Sequence, residues 1–510
     1  MKNKIIVIVF FILTVVLLGL VVKGQSGNPI YFQNEKDTRV GGPFESSNNT
    51  SRFALVEAIV EEKTFFFNEK RARFSSPDLV LYNDKFFSIF TPGVSFVGIP
   101  FYIFGKSIGA PQLSTYLVNV IAALVNVFLI YKISKKLGAG TFTALLSGVI
   151  FLFATNALSY AFTFTQHHLS TLAILAGTLA VIGKSTFVKN VAVGIAFGVA
   201  ILMDIPNLFL FLPIIIYALV KNIGFGQIKE KVSFSFNLKI FGLIAGLIPF
   251  LFVFALYNYQ LTGSYTKIGQ LIGRTSYPPK EVAEQKPNSS QYTSSDLKLF
   301  DTPFNPRREL NGFYILLISN ERGIFYYSPV LILGLVGLLV SINSKKRKRQ
   351  EVVILVSSIS LTNILLYSMF GDPWGGWSYG PRYLIPTAAI LSLGIGPAFH
   401  KFKKKLPIII LAFFIIAYSV SVNALGALTT AAVPPKGEAQ NLASPIPYTF
   451  QYNLQLLEKN FSSSLVYNLY FFNLISAKYY LIYYIAVVSL LIFMLGVGSY
   501  KEKEEKIDEN

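Results

Sequence analysis

The segment 370–386, which reads FGDPWGGWSYGPRYLIP, lies between two apolar runs and carries side chains that can bind a substrate. These side chains are an acid, two indoles, a phenol and a guanidinium, namely Asp372, Trp374, Trp377, Tyr379 and Arg382. The tryptophans by themselves are typical of an aromatic anchor at the headgroup level of a membrane. A guanidinium at the start of an apolar run is costly unless it snorkels or meets an anion, and its planar fork suits a phosphate. We therefore predict that Arg382 binds a phosphate and that its neighbours line a substrate pocket.

Acids and histidines elsewhere in the chain are candidates for proton transfer, and they comprise Glu57, Asp78, Asp84, His167, His168 and Asp204. Several common catalytic patterns are missing from the sequence, which has no HExxH zinc pattern, no GxSxG nucleophile elbow and no P-loop. A zinc site would need further ligands at helical or turn spacing beside the histidine pair. What remains is a carboxylate base with an arginine that stabilises an anionic leaving group. The sequence thus predicts group transfer without a metal.

The composition places these residues in a membrane protein. Of the 510 residues, 53% are apolar, 15% are aromatic and 14% are charged, and the mean hydropathy is +0.52; such values are typical of polytopic membrane proteins. The net charge of +19 comes from lysine and arginine clusters in short links between apolar runs, where the positive-inside rule expects them. No RNA- or DNA-binding motif accompanies them, so no nucleic-acid partner is predicted. The chain has no cysteine, which excludes disulfides, thiolate catalysis and zinc–thiolate sites.

The apolar runs predict about 12 membrane-spanning helices in a multi-pass protein of the cell membrane, with both termini in the cytoplasm. The first run, 5–22, follows Lys2 and Lys4 without an evident cleavage site, so we interpret it as an uncleaved helix. The basic cluster 345–351 is the strongest cytoplasmic marker. In this topology the single membrane domain carries three long extracytoplasmic loops at 24–113, 258–323 and 426–479. No internal repeat is evident.

The first of these loops contains two predicted helical segments. One helix is expected to start near Arg52, after an N-cap at Asn49, Thr50 or Ser51, and to carry Glu57 on an apolar face. The other, 94–104, is too short to span comfortably and is predicted to be interfacial or re-entrant. The topology also gathers the ionisable candidates at the outer ends of spans, namely Glu57, Asp78, Asp84, His167, His168, Asp204, Arg322, Asp372 and Arg382. We therefore expect a site that faces outward at headgroup depth.

Four segments carry a resemblance to a known superfamily, namely RFALVEAIV at 52–60, YNDKFFSIFTPGVSFVGIPFYIFG at 82–105, ERGIFYYSP at 321–329 and WGGWSYGPRYLIP at 374–386. Their spacing resembles that of the GT-C membrane glycosyltransferases, with the protein-mannosyltransferase and lipid A aminoarabinose transferase types as the most similar ones. The resemblance implies an all-α polytopic GT-C-like fold. It also implies extracytoplasmic transfer of a hexosyl or pentosyl group from a polyprenyl-phosphate-linked donor, usually with inversion. The acceptor would be a protein, a lipid or a glycan, and the lipid-linked donor is a substrate, so no cofactor is expected.

The resemblance also implies roles for individual residues. Relatives often carry an Asp-Glu pair soon after the first span, whereas Asn48 and Asn49 stand there in this chain. Relatives also usually have Lys-Pro-Pro where this chain has TPG at 91–93. They often have an acid at the position where this chain has the pair His167 and His168. The resulting ranking of candidate bases is Asp78, Glu57 and then Asp84. Arg382 and Arg322 would stabilise the leaving phosphate, and the pocket would comprise His167, His168, Asp204, Asp372, Trp374, Trp377 and Tyr379.

Two other functions stay open. A transporter or flippase of lipid-linked saccharides would need charged residues near the middle of spans and broken helices in corresponding halves. The charges here fall at span ends, which favours the enzyme. A non-catalytic scaffold for envelope assembly also stays open, because the typical acid pair is missing.

Overall fold

A computed structural model of the chain describes residues 2–24, 40–228, 231–279 and 304–500. Within these ranges the architecture is mainly helical, as predicted. The α-helices are α1 Lys2–Gly19, α2 Ser47–Glu62, α3 Glu69–Ser75, α4 Gly93–Ser107, α5 Pro111–Lys136, α6 Thr141–Phe153, α7 Ala157–Tyr160, α8 His167–Val181, α9 Phe187–Met203, α10 Asn207–Leu210, α11 Leu212–Asn222, α12 Phe241–Thr262, α13 Gly269–Ile272, α14 Glu309–Leu317, α15 Ile324–Tyr327, α16 Val330–Ile342, α17 Arg347–Ser368, α18 Ile385–Ser392, α19 Ile395–Phe402, α20 Leu406–Leu428, α21 Lys436–Gln440, α22 Gln451–Glu458 and α23 Ala477–Tyr500.

Two short antiparallel hairpins interrupt the helices, and neither was predicted. The first pairs β1 Leu79–Tyr82 with β2 Lys85–Ser88, and the second pairs β3 Ile223–Ile228 with β4 Lys231–Phe236. Asn83 and Asp84 form the turn of the first hairpin, and their φ angles are 49° and 57°. Asn and Asp tolerate this left-handed region, which a tight two-residue hairpin turn requires.

Several helices have the length and composition of membrane spans. Five helices in the described ranges qualify, and a sixth span results if the pair Arg382–Ser392 and Ile395–Phe402, bent by 43°, is counted as one. The helices that qualify alone include α5, α17, α20 and α23, and the fifth is the stretch Leu238–Thr262 that contains α12. Shorter apolar helices such as α6, α8, α9 and α16 accompany them. These lengths and compositions support the polytopic membrane class.

Helix α9 packs closely on α12. A Cβ atom on Gly194 of α9 would lie 2.1 Å from the carbonyl oxygen of Leu243 in α12, so the two backbones approach as small residues allow. Helix α8 packs between α5 and α9, and the side-chain amide of Asn126 in α5 donates to the carbonyl of His168 at 3.0 Å. A hydrogen bond of 2.9 Å from Gln166, just before α8, to Asp204, just after α9, holds the start of α8 beside the end of α9.

The longer connections meet at one end of the bundle, which we call the loop end. Lys23, just after α1, forms a buried ion pair of 3.1 Å with Glu45, which precedes α2. Glu45 also accepts from the backbone N–H of Ala431, after α20, at 2.7 Å. A second contact joins residues 264–279 to the first hairpin, where the N–H of Thr275 donates to the carbonyl of Leu79 at 2.9 Å. The loop end is thus one packed unit.

Helix α2 begins earlier than the sequence predicted. It starts at Ser47, with Ser46 in an extended conformation as its N-cap, and the N–H groups of Asn49 and Thr50 donate to the Ser46 carbonyl at 2.9 Å and 3.1 Å. The predicted caps therefore lie within the first turn of the helix. As a consequence Arg52 is an interior residue of α2 rather than its first one. The predicted helix at 94–104 is present as α4.

Candidate active site

Arg52 lies at the centre of the loop end, and its side chain is completely buried. Its Nη1 donates to the side-chain and backbone oxygens of Asn48, the latter at 3.1 Å, and its guanidinium carbon lies 3.8 Å from the centroid of the Phe90 ring. Within the described residues, Nε and Nη2 have no hydrogen-bond partner. Burial lowers the pKa of Arg52 to about 10, although the negative charges of Asp204 and Asp78 act to raise it. The sequence analysis treated Arg52 only as a helix start and missed it as a site residue.

Asp204 is a buried acid of this region, and it directly follows α9. Its carboxylate accepts from Nε2 of Gln166 at 2.9 Å and from Nε2 of Gln270 at 3.4 Å. Burial raises the pKa of Asp204, while the charge of Arg52 and the two amide donors oppose that shift. Since Gln166 precedes α8 and Gln270 lies in α13, two separate segments hold this carboxylate. Neither glutamine was singled out from the sequence.

Arg382 belongs to the C-terminal half of the chain and lies at the start of the turn that leads into α18. Its guanidinium carbon lies 5.3 Å from the ring centroid of Tyr383, and Tyr383 stacks on Tyr367 at 4.4 Å. A Cβ atom on Gly375 would lie 2.8 Å from Nε of Arg382, and Gly375 has a φ of +72°, so only glycine fits here. Within the described residues, Nε of Arg382 has no hydrogen-bond partner.

The two adjacent histidines have different surroundings. The His167 ring packs against Tyr160 at 5.3 Å and Tyr383 at 6.2 Å, and the charges of Arg382 and Arg52 act on it. Its Nε2 atom is buried and has no partner among the residues that the structure describes. His168 instead points into the bundle, where its Nε2 lies 2.8 Å from the Ala157 carbonyl. Of the two histidines, only His167 belongs to the candidate site. We call this site the arginine cluster, and it comprises Arg52, His167, Asp204, Arg382 and Tyr383.

Arg322 is buried but its hydrogen bonds go to the backbone. Its Nε donates to the carbonyl of Trp374 at 2.9 Å, Nη1 to that of Glu321 at 2.8 Å, and Nη2 to those of Gly376 at 3.2 Å and Val433 at 2.8 Å. Four of its five N–H groups are therefore engaged with main-chain oxygens. The geometry makes Arg322 the clamp of the turn that carries Arg382, in contrast to the phosphate contact expected from the sequence.

The other residues of the 370–386 segment shape this turn. Asp372 accepts from the N–H of Gly375 at 3.1 Å, which closes the turn. Tyr379 is completely buried, and its N–H donates to the Tyr160 hydroxyl at 3.0 Å. Trp377 is 39% exposed, and its indole N–H donates to Glu438 at 2.5 Å. The indole N–H of Trp374 is buried and has no partner within the described ranges.

The three carboxylates predicted as bases lie in different places. Asp78 lies next to the arginine cluster, close enough for its charge to act on Arg52, but its two oxygens are engaged with Arg274 at 2.8 Å and Ser47 at 2.7 Å. Glu57 faces Arg71, with 3.5 Å between the carboxylate and Nε; burial raises its pKa and Arg71 opposes the shift. Asp84 is exposed at the hairpin turn. The structure therefore brings Asp78, and neither Glu57 nor Asp84, to the arginine cluster.

The described part of the chain contains no group of three or more His, Asp or Glu side chains placed to hold a metal ion. The chemistry available in the arginine cluster is that of two guanidinium groups, one imidazole and one buried carboxylate. Such a set can bind an anion and move a proton.

Comparisons with known proteins concern the fold and the family resemblance of the chain. Residues 96–258 match the family model described as dolichyl-phosphate-mannose-protein mannosyltransferase. The crystal structure of ArnT from Cupriavidus metallidurans in the apo state is similar in fold, with a TM-score of 0.50, 12% identity and coverage of 98% of this chain and 77% of that chain. The chain therefore resembles ArnT in fold along almost its whole length. The GT-C resemblance and the polytopic helical class predicted from the sequence are thereby confirmed.

Two further solved structures are similar to this chain. ArnT from Cupriavidus metallidurans bound to undecaprenyl phosphate has a TM-score of 0.49 and 13% identity, and the match covers 97% of this chain and 76% of that chain. The archaeal oligosaccharyltransferase AglB from Archaeoglobus fulgidus, in complex with an inhibitory peptide and a dolichol-phosphate, has a TM-score of 0.43 and 11% identity, with coverage of 87% and 60%. No curated protein sequence matches this chain. The match to the mannosyltransferase family contains His167 and Asp204 but neither arginine of the cluster.

Proposed function

We propose that this chain is a glycosyltransferase that transfers a sugar from a polyprenyl-phosphate-linked donor, and that Arg52 and Arg382 bind the donor phosphate. The observation that carries the proposal is the set of buried guanidinium N–H groups without a partner in the described residues, on Nε and Nη2 of Arg52 and Nε of Arg382. Buried donors in folded proteins are nearly always satisfied. A phosphate offers several charged acceptor oxygens in the geometry that guanidinium groups match.

The electrostatics of the cluster support an anion between the two arginines. Arg52 and Arg382 lie close enough for their like charges to act on each other, and Arg52 is completely buried. A buried cation next to a second cation is destabilised unless a negative charge compensates it. Asp204 acts on Arg52, and a phosphate would supply further negative charge. The family match supports a lipid phosphate, because its description refers to mannose linked to dolichyl phosphate.

In this function the arginines also assist the reaction. As the bond between the sugar and the phosphate breaks, negative charge grows on the leaving phosphate, and fixed buried donors stabilise it more than water would. Arg322 contributes indirectly, because it clamps the turn that positions Arg382. The positions of the basic clusters support a loop end that faces away from the cytoplasm, with both termini inside. A protein, a lipid or a glycan would accept the hexosyl or pentosyl group there, with inversion at the sugar carbon.

Binding of a short-chain polyprenyl phosphate to purified protein in nanodiscs tests this proposal independently of the sugar. We expect Arg52→Lys and Arg382→Lys each to weaken binding about tenfold, because lysine keeps the charge but loses the fork. The matched control is Arg73→Lys, since Arg73 is a partly exposed residue paired with Glu69 in the same loop. Unchanged affinity in both Arg52→Lys and Arg382→Lys would show that the phosphate does not bind at this site. A scaffold or a flippase would then be favoured over the enzyme.

A further inference from the structure

The arginine cluster contains a carboxylate that the donor phosphate does not need. Resting on the proposed function, we infer that Asp204 takes the proton from the acceptor hydroxyl, and that Gln166 and Gln270 are positioning residues that orient its carboxylate. This assignment replaces Asp78, the first choice of the sequence analysis, as the base.

The positions of the two acids favour Asp204. Its charge acts on Arg52, Tyr367 and Tyr383, so it lies among the residues that would surround the sugar phosphate. Asp78 has a strong partner on each oxygen, at 2.8 Å and 2.7 Å, and one of these partners is the cation Arg274.

The hydrogen bonds of Asp204 leave it able to accept a proton. Its two oxygens offer about four acceptor positions, and side chains use one of them at 2.9 Å and another at the longer distance of 3.4 Å. Both partners are neutral amide donors, which orient the carboxylate without pairing it with a charge. Burial raises the pKa of Asp204, and a raised pKa makes a carboxylate a stronger base at neutral pH.

The bonds, electrons and protons of the proposed glycosyl transfer balance as follows. The acceptor oxygen forms a bond to the anomeric carbon of the sugar, and the bond from that carbon to the lipid-phosphate oxygen breaks. The electron pair of the broken bond leaves with the phosphate, next to Arg52 and Arg382. The proton of the acceptor hydroxyl moves to a carboxylate oxygen of Asp204, which later releases it to water.

The experiment compares turnover with phosphate binding in the full-length protein. Membranes that contain each variant are supplied with radiolabelled short-chain polyprenyl-phosphate hexoses and pentoses, and release of polyprenyl phosphate is followed. We expect Asp204→Asn to lower turnover by about a hundredfold to ten-thousandfold, the usual contribution of a general base. Binding of polyprenyl phosphate should not weaken in this variant, because the change removes a negative charge next to the phosphate. The control is Glu69→Gln, which removes an exposed carboxylate from the first loop.

Two further variants separate a catalytic role from a structural one. Asp204→Glu keeps a carboxylate and should recover part of the turnover that Asp204→Asn loses. Gln270→Ala removes one amide donor, so the pKa of Asp204 should rise and the acidic limb of the pH–rate profile should move to higher pH. The charged and titratable groups that face Asp204 are Arg52, Tyr367 and Tyr383, and these stay unchanged in that variant.

The outcomes distinguish this inference from the function on which it rests. If Asp204→Asn keeps wild-type turnover while Asp78→Asn loses it, the base is Asp78 and the inference is overturned, although the proposed function stands. If Asp204→Asn loses phosphate binding and turnover together, the residue is structural and the inference is again overturned. If the wild-type protein neither binds polyprenyl phosphate nor releases it from any donor, the proposed function itself fails.

Discussion

Arg52 and Arg382 come from opposite halves of the chain, yet in the folded protein their positive charges act on each other inside the loop end. Helix α2 brings the first arginine and the turn before α18 brings the second. Neither guanidinium is neutralised by a direct ion pair within the described residues, since the ion pairs there involve other side chains. The buried Arg52 next to the partly exposed Arg382 forms a site prepared for an anion.

A double-mutant cycle tests whether the two arginines share one ligand. Because both would bind the same phosphate, we expect Arg52→Lys and Arg382→Lys to be non-additive, with a coupling of about 0.5–3 kcal/mol in polyprenyl phosphate affinity. Isothermal titration or microscale thermophoresis in nanodiscs measures all four proteins. Losses that simply add would mean that the arginines act at separate places.

Gly375 offers a way to move Arg382 without changing it. A methyl group there would lie 2.8 Å from Nε of Arg382, so we expect Gly375→Ala to displace the guanidinium and weaken polyprenyl phosphate binding about tenfold. Gly263→Ala is the matched control, because Gly263 has almost the same φ, +73° against +72°, but no atom within 4 Å of its added Cβ. Both variants carry similar backbone strain. Equal binding by the two variants would show that the contact with Arg382 has no effect.

The buried ion pair of Lys23 and Glu45 predicts that removing one partner lowers the stability of the protein more than replacing both. The side chains of both residues are almost completely buried, so Glu45→Gln should leave a buried charge without its partner and cost about 3–5 kcal/mol. The double variant Lys23→Met/Glu45→Gln should lose less than this, because no uncompensated charge remains. Thermal unfolding followed by tryptophan fluorescence measures the difference. A double variant less stable than Glu45→Gln would contradict this explanation.

The orientation of the loop end can be tested directly because the natural chain has no cysteine. Asp84 is exposed at the hairpin turn, so Asp84→Cys should react with a membrane-impermeant maleimide added outside intact cells. Lys345→Cys lies in the basic link before α17 and should react only after the membrane is opened. Labelling of Asp84→Cys only from the cytoplasmic side would reverse the topology, and with it the proposed side of sugar transfer.

The sequence identified much of this architecture because its strongest signals are local. Apolar runs predicted the helical membrane class, and an arginine at the start of a span directed attention to Arg382. Arg52 was missed because its burial depends on the packing of α2 against the residues around Phe90, which no local pattern shows. Gln270 was missed for a similar reason, since it reaches Asp204 only through the fold of residues 264–279. Glu57 was a reasonable choice of acid on an apolar face, but the structure pairs it with Arg71.

The most direct test of the central claim is the position of the phosphate in an electron cryo-microscopy map of the protein with bound polyprenyl phosphate. The account predicts phosphate density within about 3 Å of Nη2 of Arg52 and Nε of Arg382, with the lipid chain leading away from the loop end. Density at another place, such as the groove lined by Arg349 and His400 near the start of α17, would contradict it.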